Sequence, residues 1–556
     1  MSESPQQPLS KVGQRLWSIF AFSIFVVTTI AVVSWILQHP FGTNWDETNY
    51  INQIVQDRTA LGDGPVSLVK ALLRRDASRP PAYRILALPI TAIWGGEPTA
   101  LRLFAWLAFG ISVYLIYQTG EQLRDRATGG FAACFLLTCP ILIGPNMRFY
   151  VDYSLYLAIA GSLYFLFRHW HQTDTKSRNW IGLGLSLGLG AMAKPTIAFI
   201  LGPMLLVLMG LRLMAKKVGP SLQSLFKSYG VAMAIMLPWW VLNGDDAIAK
   251  AFQSGGNTRD ALGTQGELGT LLKWGYVFIQ SVTGPMLSLL TGAIVLSFLW
   301  VWIVQRRLEL TRPQRYAVLL CLAGAIPFAG LAASGVNHNP RLIAPLLMPL
   351  SLAIGLLASS TGWFSRRPMT LVAVVLMTAQ VTVMLAPQPG SARYQEGDQY
   401  SKTHNWGNPT SVMRREEQWN WSLLYDAVRQ YPLDTPRIGY LGNAKMLNPP
   451  QIRSPWLRLG KTARVDPLWK DKSNPIDWED IMRGASRQDI LVVIDSETTG
   501  DALVDYRTID NQHNPELVER LRAAEDFVLL TTLKMGRFTP TDVAVFVRND
   551  VANPKL

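Results

Sequence analysis

Two adjacent carboxylates, Asp46 and Glu47, stand in the run Trp45-Asp46-Glu47-Thr48-Asn49-Tyr50, a few residues beyond an apolar stretch. Acids there have two explanations. Helix capping is one: Asp46 or a neighbour starts a surface helix whose first turn favours negative charge. General base chemistry is the other: a carboxylate beside low-dielectric surroundings takes a proton from a hydroxyl. Cations recur at comparable places farther along. Arg79 lies in Ser78-Arg79-Pro80-Pro81, where paired prolines stiffen the chain. Held at headgroup depth, it meets either a specific phosphate or anionic lipid in general. Arg148 and Asp152 share a short turn and can neutralise each other, and Arg341 follows Asn337-His338-Asn339-Pro340. Lys194, in Met192-Ala193-Lys194-Pro195-Thr196, interrupts two apolar runs. A lysine at mid-bilayer costs about 2.5 to 3.5 kcal/mol, so snorkelling to an interface competes with a functional role.

The elements that position these residues are membrane helices. Of the 556 residues, 49% are hydrophobic and 16% charged, more apolar side chain than one water-soluble core of ordinary composition buries. Spans of roughly 17 to 25 residues are what a bilayer requires. The first covers Leu16–Leu37, with Lys11 and Arg15 as its basic flank and no cleavage site after it. Others begin near Leu101, Thr128, Leu155, Ile181, Ile197, Tyr229, Val277, Tyr316, Leu342 and Leu371, about eleven spans in all.

Orientation follows from positive charge in short loops. Arg124 and Arg126; Arg168, Lys176 and Arg178; Arg212, Lys216 and Lys217; Arg306, Arg307, Arg312 and Arg315; and Arg366 and Arg367 all fall on one side, which is then cytoplasmic. The apolar piece Ile85–Trp94, only about ten residues long, would invert every later loop if it crossed the bilayer, so it is assigned to the interface. That arrangement brings Asp46, Arg79, Asp152, Lys194 and Arg341 to one depth on the outer face. Acids and cations converging there suit group transfer from a lipid phosphate.

The expected fold is therefore a polytopic α-helical membrane protein with a cytoplasmic N-terminal tail (1–15), a membrane unit (16–386, first outer loop about 38–98) and a soluble extracytoplasmic α/β domain (387–556). In the last, strands are expected at Arg437–Leu441, Ile490–Ile494, Phe527–Leu533 and Val543–Val547, with a helix over Pro515–Ala524. No catalytic signature appears in it, and a cap over the outer loops is its expected role.

Other patterns carry less. The net charge of +13 sits in the basic loops and so reports membrane orientation; nucleic acid is not an expected partner. Cys134, Cys139 and Cys321 lie in apolar runs without disulfide or zinc spacing. Gly184 and Gly188 form a GxxxG pair suited to close helix packing. Asp245-Asp246 suits a solvated turn, and no P-loop or GxSxG elbow is present.

In this order the motifs resemble the GT-C glycosyltransferases, above all the protein O-mannosyltransferases and the lipid A aminoarabinose transferases of the glycosyltransferase family 39 type. Asp46-Glu47 with Tyr50 is similar to the Asp-Glu motif of the first outer loop. Arg79-Pro80-Pro81 is similar to the basic-proline motif, and Gly95 and Arg102 follow as in that family. Val151-Asp152-Tyr153-Ser154-Leu155, Met192-Ala193-Lys194-Pro195-Thr196, and Pro340-Arg341 with Pro345 and Pro349 resemble its later acidic, lysine and basic motifs.

The resemblance, over residues 15 to 390, implies a sugar moved with inversion from a polyprenyl-phosphate-linked donor to a hydroxyl of a protein, lipid or polysaccharide. It makes Asp46, Glu47 and Asp152 catalytic, and Arg79, Lys194 and Arg341 donor phosphate-binding. It also implies a plasma (inner) membrane location with the active site outside. Some relatives carry a glutamate metal ligand where Ser78 stands, so a divalent metal cofactor is not supported by the sequence. A transporter or flippase of lipid-linked sugars is the alternative. It predicts charges near the midplane and internal repeats, whereas here the charges gather at the outer boundary.

Overall fold

The computed structural model describes residues 11–42, 44–171, 178–214, 221–262, 275–276, 278–305, 310–334, 340–386, 412–413, 418–442, 444, 446–469, 476–495, 513–537 and 540–553. Lys176, Lys216, Lys217, Arg306, Arg307, Asn337, His338 and Asn339 lie outside them.

Helix α1 (Lys11–Gln38) is followed by three helices that lead to the next long apolar one: α2 (Trp45–Gly62), α3 (Pro65–Arg74) and α4 (Ala82–Trp94). Then come α5 (Pro98–Leu123), α6 (Arg126–Leu137), α7 (Pro140–Asn146), α8 (Asp152–His171), α9 (Asn179–Ala191), α10 (Ile197–Met214) and α11 (Leu222–Leu262). After these run α12 (Pro285–Trp300), α13 (Arg312–Ser334), α14 (Leu347–Ser360) and α15 (Arg367–Leu385). The expected span near Val277 begins outside the described residues; each of the others starts at or inside one of these elements or the helical turns beside it.

Length separates them. Among the described residues six helices are long and apolar enough to cross a membrane, seven if α6 and α7, bent by 64°, count as one. The protein is thus an integral membrane protein. Helices α6, α9 and α14 run only 12, 13 and 14 residues, short of a bilayer by themselves. The bend between α6 and α7 has a local cause. Pro140 can donate no backbone hydrogen bond, and the Thr138 hydroxyl turns back onto the carbonyls of Cys134 and Phe135.

Glycines set the helix packing. A Cβ on Gly120 of α5 would fall 2.7 Å from the Gly129 Cα of α6. One on Gly184 of α9 would meet the Ser228 carbonyl of α11 at 2.6 Å, which gives the GxxxG pair its packing role. The core running through these helices includes Phe109, Phe131, Phe135 and Phe167, all fully buried.

Beyond α15 the chain forms a five-stranded sheet of order β2-β1-β3-β5-β4. Its strands are β1 (Arg437–Leu441), β2 (Arg464–Pro467), β3 (Ile490–Ile494), β4 (Phe527–Met535) and β5 (Thr541–Arg548). β1 pairs in parallel with β2 and β3, and β5 pairs antiparallel with β3 and β4. β3 is buried throughout because both faces are covered. Ile490, Val492 and Ile494 meet Trp421 and Trp456 on one side; Leu491 and Val493 meet Ile481 and Leu517 on the other. β2 escapes the sequence pattern, being a four-residue edge strand that ends in proline and is never fully buried. Helix α16 (Pro449–Arg458), between β1 and β2, packs Ile452 and Trp456 on the sheet and docks its other side on α2.

Candidate active site

The site begins at the N-terminus of α2. Asn44, extended at φ −164°, accepts the Glu47 amide on its side chain at 2.9 Å and caps the helix, while its Nδ2 donates to the Tyr150 hydroxyl at 2.6 Å. Successive side chains then diverge by about 100°, since a helix has about 3.6 residues per turn. Asp46 stays partly exposed, its oxygen 3.5 Å from an Arg341 nitrogen. Glu47 turns inward, fully buried, and takes Arg102 in a two-pronged pair at 2.7 and 2.7 Å plus the Phe149 amide at 2.9 Å. The expected carboxylate pair thus divides: Asp46 faces the cluster, and Glu47 locks α2 to α5 and to the turn before α8.

Asp152 opens α8 with its carboxylate 1% exposed. One oxygen accepts from the Lys194 ammonium and the other lies 2.8 Å from Arg341 Nε. Arg148, the sequence neighbour that offered a partner, donates to the Gly144 carbonyl at 2.7 Å and packs on the Trp35 ring. Lys194 sits in the hairpin between α9 and α10. Burial lowers its pKa from the ordinary lysine value, and the Asp152 carboxylate opposes that shift.

Arg341 bridges the two acids while its guanidinium stacks 4.3 Å from the Tyr150 ring centre. Asp46, Asp152, Lys194 and Arg341, separated in the chain by up to 295 residues (341 − 46), thus form one contact set. Arg79 joins them through aromatic rings: it lies over Tyr50 at 5.4 Å, and Tyr50 meets Tyr150 edge-on at 6.4 Å. Its guanidinium is 3.5 Å from Asp76, whose other oxygen accepts the Ser78 hydroxyl at 2.7 Å. Burial and the neighbouring Asp46 push the Tyr50 phenol up to about 12, so it stays a neutral hydroxyl across the physiological range.

A divalent metal does not fit this donor set. Among the described residues no three His, Cys, Asp or Glu side chains converge, and Ser78 is committed to Asp76. What the cluster does hold is a balanced quartet, two carboxylates against two cations. An apolar cavity of about 550 Å³ adjoins the segment that carries Arg341. Phe278, Ile279, Leu322, Ile326, Ile343 and Leu346 line it, and Ile279 and Ile326 are themselves exposed, so it opens to the surface.

Asn44 and Tyr150 were absent from the expected site. Asn44 had a signal, a capping residue with a glutamate three positions on. Tyr150 had none, because only the fold sets it between Arg341 and Asn44.

A membrane protein with a balanced ionic cluster gathered from helix N-termini, a hairpin and a turn, beside an apolar cavity, is the class that fold and site define. Residues 78–241 match the family model described as dolichyl-phosphate-mannose-protein mannosyltransferase. A 201-residue stretch, 35% of this chain, is 28% identical to undecaprenyl phosphate-alpha-4-amino-4-deoxy-L-arabinose arabinosyl transferase 2 of Pseudomonas fluorescens. It spans 33% of that relative's length. The crystal structure of ArnT from Cupriavidus metallidurans bound to undecaprenyl phosphate superposes with a TM-score of 0.55 at 12% identity, covering 94% of this chain and 97% of that one. Arabinofuranosyltransferase AftD from Mycobacteria gives 0.51 at 13%, covering 96% of this chain and 40% of that one. The chain has the fold of that ArnT structure.

Proposed function

We propose that the protein is an inverting glycosyltransferase that moves a sugar from a polyprenyl-phosphate-linked donor to an acceptor hydroxyl on the extracytoplasmic side of the plasma (inner) membrane. The observation that carries this is the quartet Asp46, Asp152, Lys194 and Arg341. Asp46, the more exposed carboxylate, is the general base. The acceptor oxygen attacks the anomeric carbon as its proton passes to Asp46. The bond from that carbon to the phosphate oxygen breaks, and its electron pair stays on the phosphate. Protonating Asp46 removes one negative charge from a balanced quartet and leaves one positive charge in excess. It appears just as the leaving phosphate gains one negative charge, so the cluster is complementary to the transition state rather than to the resting donor.

Lys194 and Arg341 bind that phosphate, and Arg79 extends the cationic rim toward it. Asp152 holds both cations in place. Glu47 supports α2 without touching substrate, a change from the catalytic role expected for it. The apolar cavity beside Ile343 receives the first isoprene units. The chain then has about eleven spans with the basic loops cytoplasmic, and residues 387–556 form an extracytoplasmic domain.

The test uses purified protein in lipid nanodiscs, an envelope lipid and protein extract as acceptor, and a panel of undecaprenyl-phosphate-linked aminoarabinose, arabinofuranose and mannose. Released undecaprenyl phosphate is the readout. At least one donor should be consumed by the wild type, and Asp46→Asn should abolish its consumption. A fully active Asp46→Asn would end the proposal.

A further inference from the structure

Among the described residues the sheet unit makes its most extensive contact with the membrane unit through α16 on α2, with Gln418 accepting the Phe41 amide and Arg537 donating to the Gln38 carbonyl beside it. Helix α16 starts at Pro449 under an Asn448 cap that accepts the Gln451 amide at 3.1 Å. Its side chains then meet α2 and the strap leading into it. Asn52 of α2 donates to the Pro450 carbonyl at 2.7 Å, a buried hydrogen bond. Arg453 reaches Asn49 at 3.3 Å, and Leu457 joins the cluster of Tyr50, Ile51, Ile54 and Val55.

Gln451, 3% exposed, is the most telling. Its Nε2 donates to the Gly42 carbonyl at 3.3 Å and, more weakly, toward the Asn44 carbonyl at 3.5 Å. A Cβ on Gly42 would stand 2.2 Å from Thr48 Oγ1 and 3.3 Å from Gln451 Nε2, so the strap is pressed between α2 and α16. Asn44 caps α2, and Asp46 follows two residues on.

We propose that the extramembrane α/β unit is a positioning element for the catalytic base: Gln451 fixes the strap that caps α2 and so sets Asp46 against Arg341. This rests on the base role proposed for Asp46. The mechanical logic is simple. Lys194 comes from the α9–α10 hairpin and Arg341 from the turn before α14, and Asp152 at the start of α8 pairs with both, so each keeps a partner outside the strap and α16. Loosening Gln451 therefore moves the base and leaves the phosphate-binding cations where they are, which separates turnover from donor affinity.

The experiment compares Gln451→Ala and Gln451→Glu with wild type, full chain in nanodiscs, using whichever panel donor the wild type consumes fastest. A displaced base should lower kcat by about tenfold to a hundredfold while donor KM stays within about twofold. The affinity for undecaprenyl phosphate alone should be unchanged, and backbone amides of residues 44–50 should exchange faster with deuterated solvent. Gln451→Glu keeps the side chain's volume and removes its donor N–H, so it should fail as Gln451→Ala does; near-normal turnover there would mean packing only and overturn the proposal. Unchanged kcat in both variants, or parallel losses of kcat and undecaprenyl phosphate affinity, would overturn it too. If Gln451→Ala is not recovered as monodisperse protein, Gln451→Glu decides by the same measures. An inactive Asp46→Asn beside fully active Gln451 variants removes only the positioning role, whereas an active Asp46→Asn removes the base role beneath it.

Discussion

A buried carboxylate is tolerated only when something pays back its lost hydration, and Glu47 has three donors doing so: two from Arg102 and one from the Phe149 amide. Replacing one partner of such a pair strands the other. Glu47→Gln should therefore cost about 3 to 5 kcal/mol, measured by thermal unfolding in nanodiscs, with Arg102 left as an uncompensated buried charge. Asp46→Asn should leave stability within about 0.5 kcal/mol, since its partner is 3.5 Å away and its side chain partly solvated. Lys194 gives a pH signature. In the phosphate-binding role proposed for it the ammonium form is the one that binds, and burial lowers its pKa, so affinity for undecaprenyl phosphate should fall as pH rises through that lowered value. Lys194→Arg, which keeps its charge throughout, should flatten that fall. A profile unaltered by the substitution would take Lys194 out of the phosphate site.

The elements are held by close backbone approach as much as by apolar area. Gly184 and Gly188 let α9 lie against α11, which itself anchors α3 through a bond from Asn243 to the Leu73 carbonyl. Gly184→Val should force these helices apart and destabilise the fold by about 1 to 3 kcal/mol, read as a lower midpoint of thermal unfolding. The same physics explains why α6 and α7 do not make one straight span. Thr138 satisfies the last carbonyls of α6, and Pro140 starts the next helix where a missing donor costs nothing. The three helices between α1 and α5 were compressed in the sequence into one loop and one interfacial helix, because α2 is polar overall and α3 is short.

Across the whole molecule, two units of unlike composition meet at α2. The apolar unit presents Asp46, the proposed base, on that helix, and among the described elements α16 makes the α/β unit's most extensive contact with it. Sidedness is testable at this scale. The three native cysteines are buried and should not react with a membrane-impermeant maleimide. Ser486→Cys on the sheet unit should then be labelled from outside intact spheroplasts, and Arg367→Cys in a basic loop only after lysis. Labelling of the second in intact cells would invert the topology.

The sequence by itself determined the membrane class, the long apolar helices, four of the five strands and the chemical types in the site. These are local or additive properties: apolar length, charge in short loops, and alternation along a strand. It also led to the expectation that Asp46, Asp152, Lys194 and Arg341 share one depth, and the structure joins the four through ion pairs. Only the tertiary structure decided which of two neighbouring carboxylates meets the cations, that Asp152 pairs with Lys194 and Arg341, and that Gln451 reaches across more than 400 residues (451 − 42 = 409) to the strap before α2. Rotation about a helix axis and contacts between distant segments decide those, and neither leaves a mark on the order of residues along the chain.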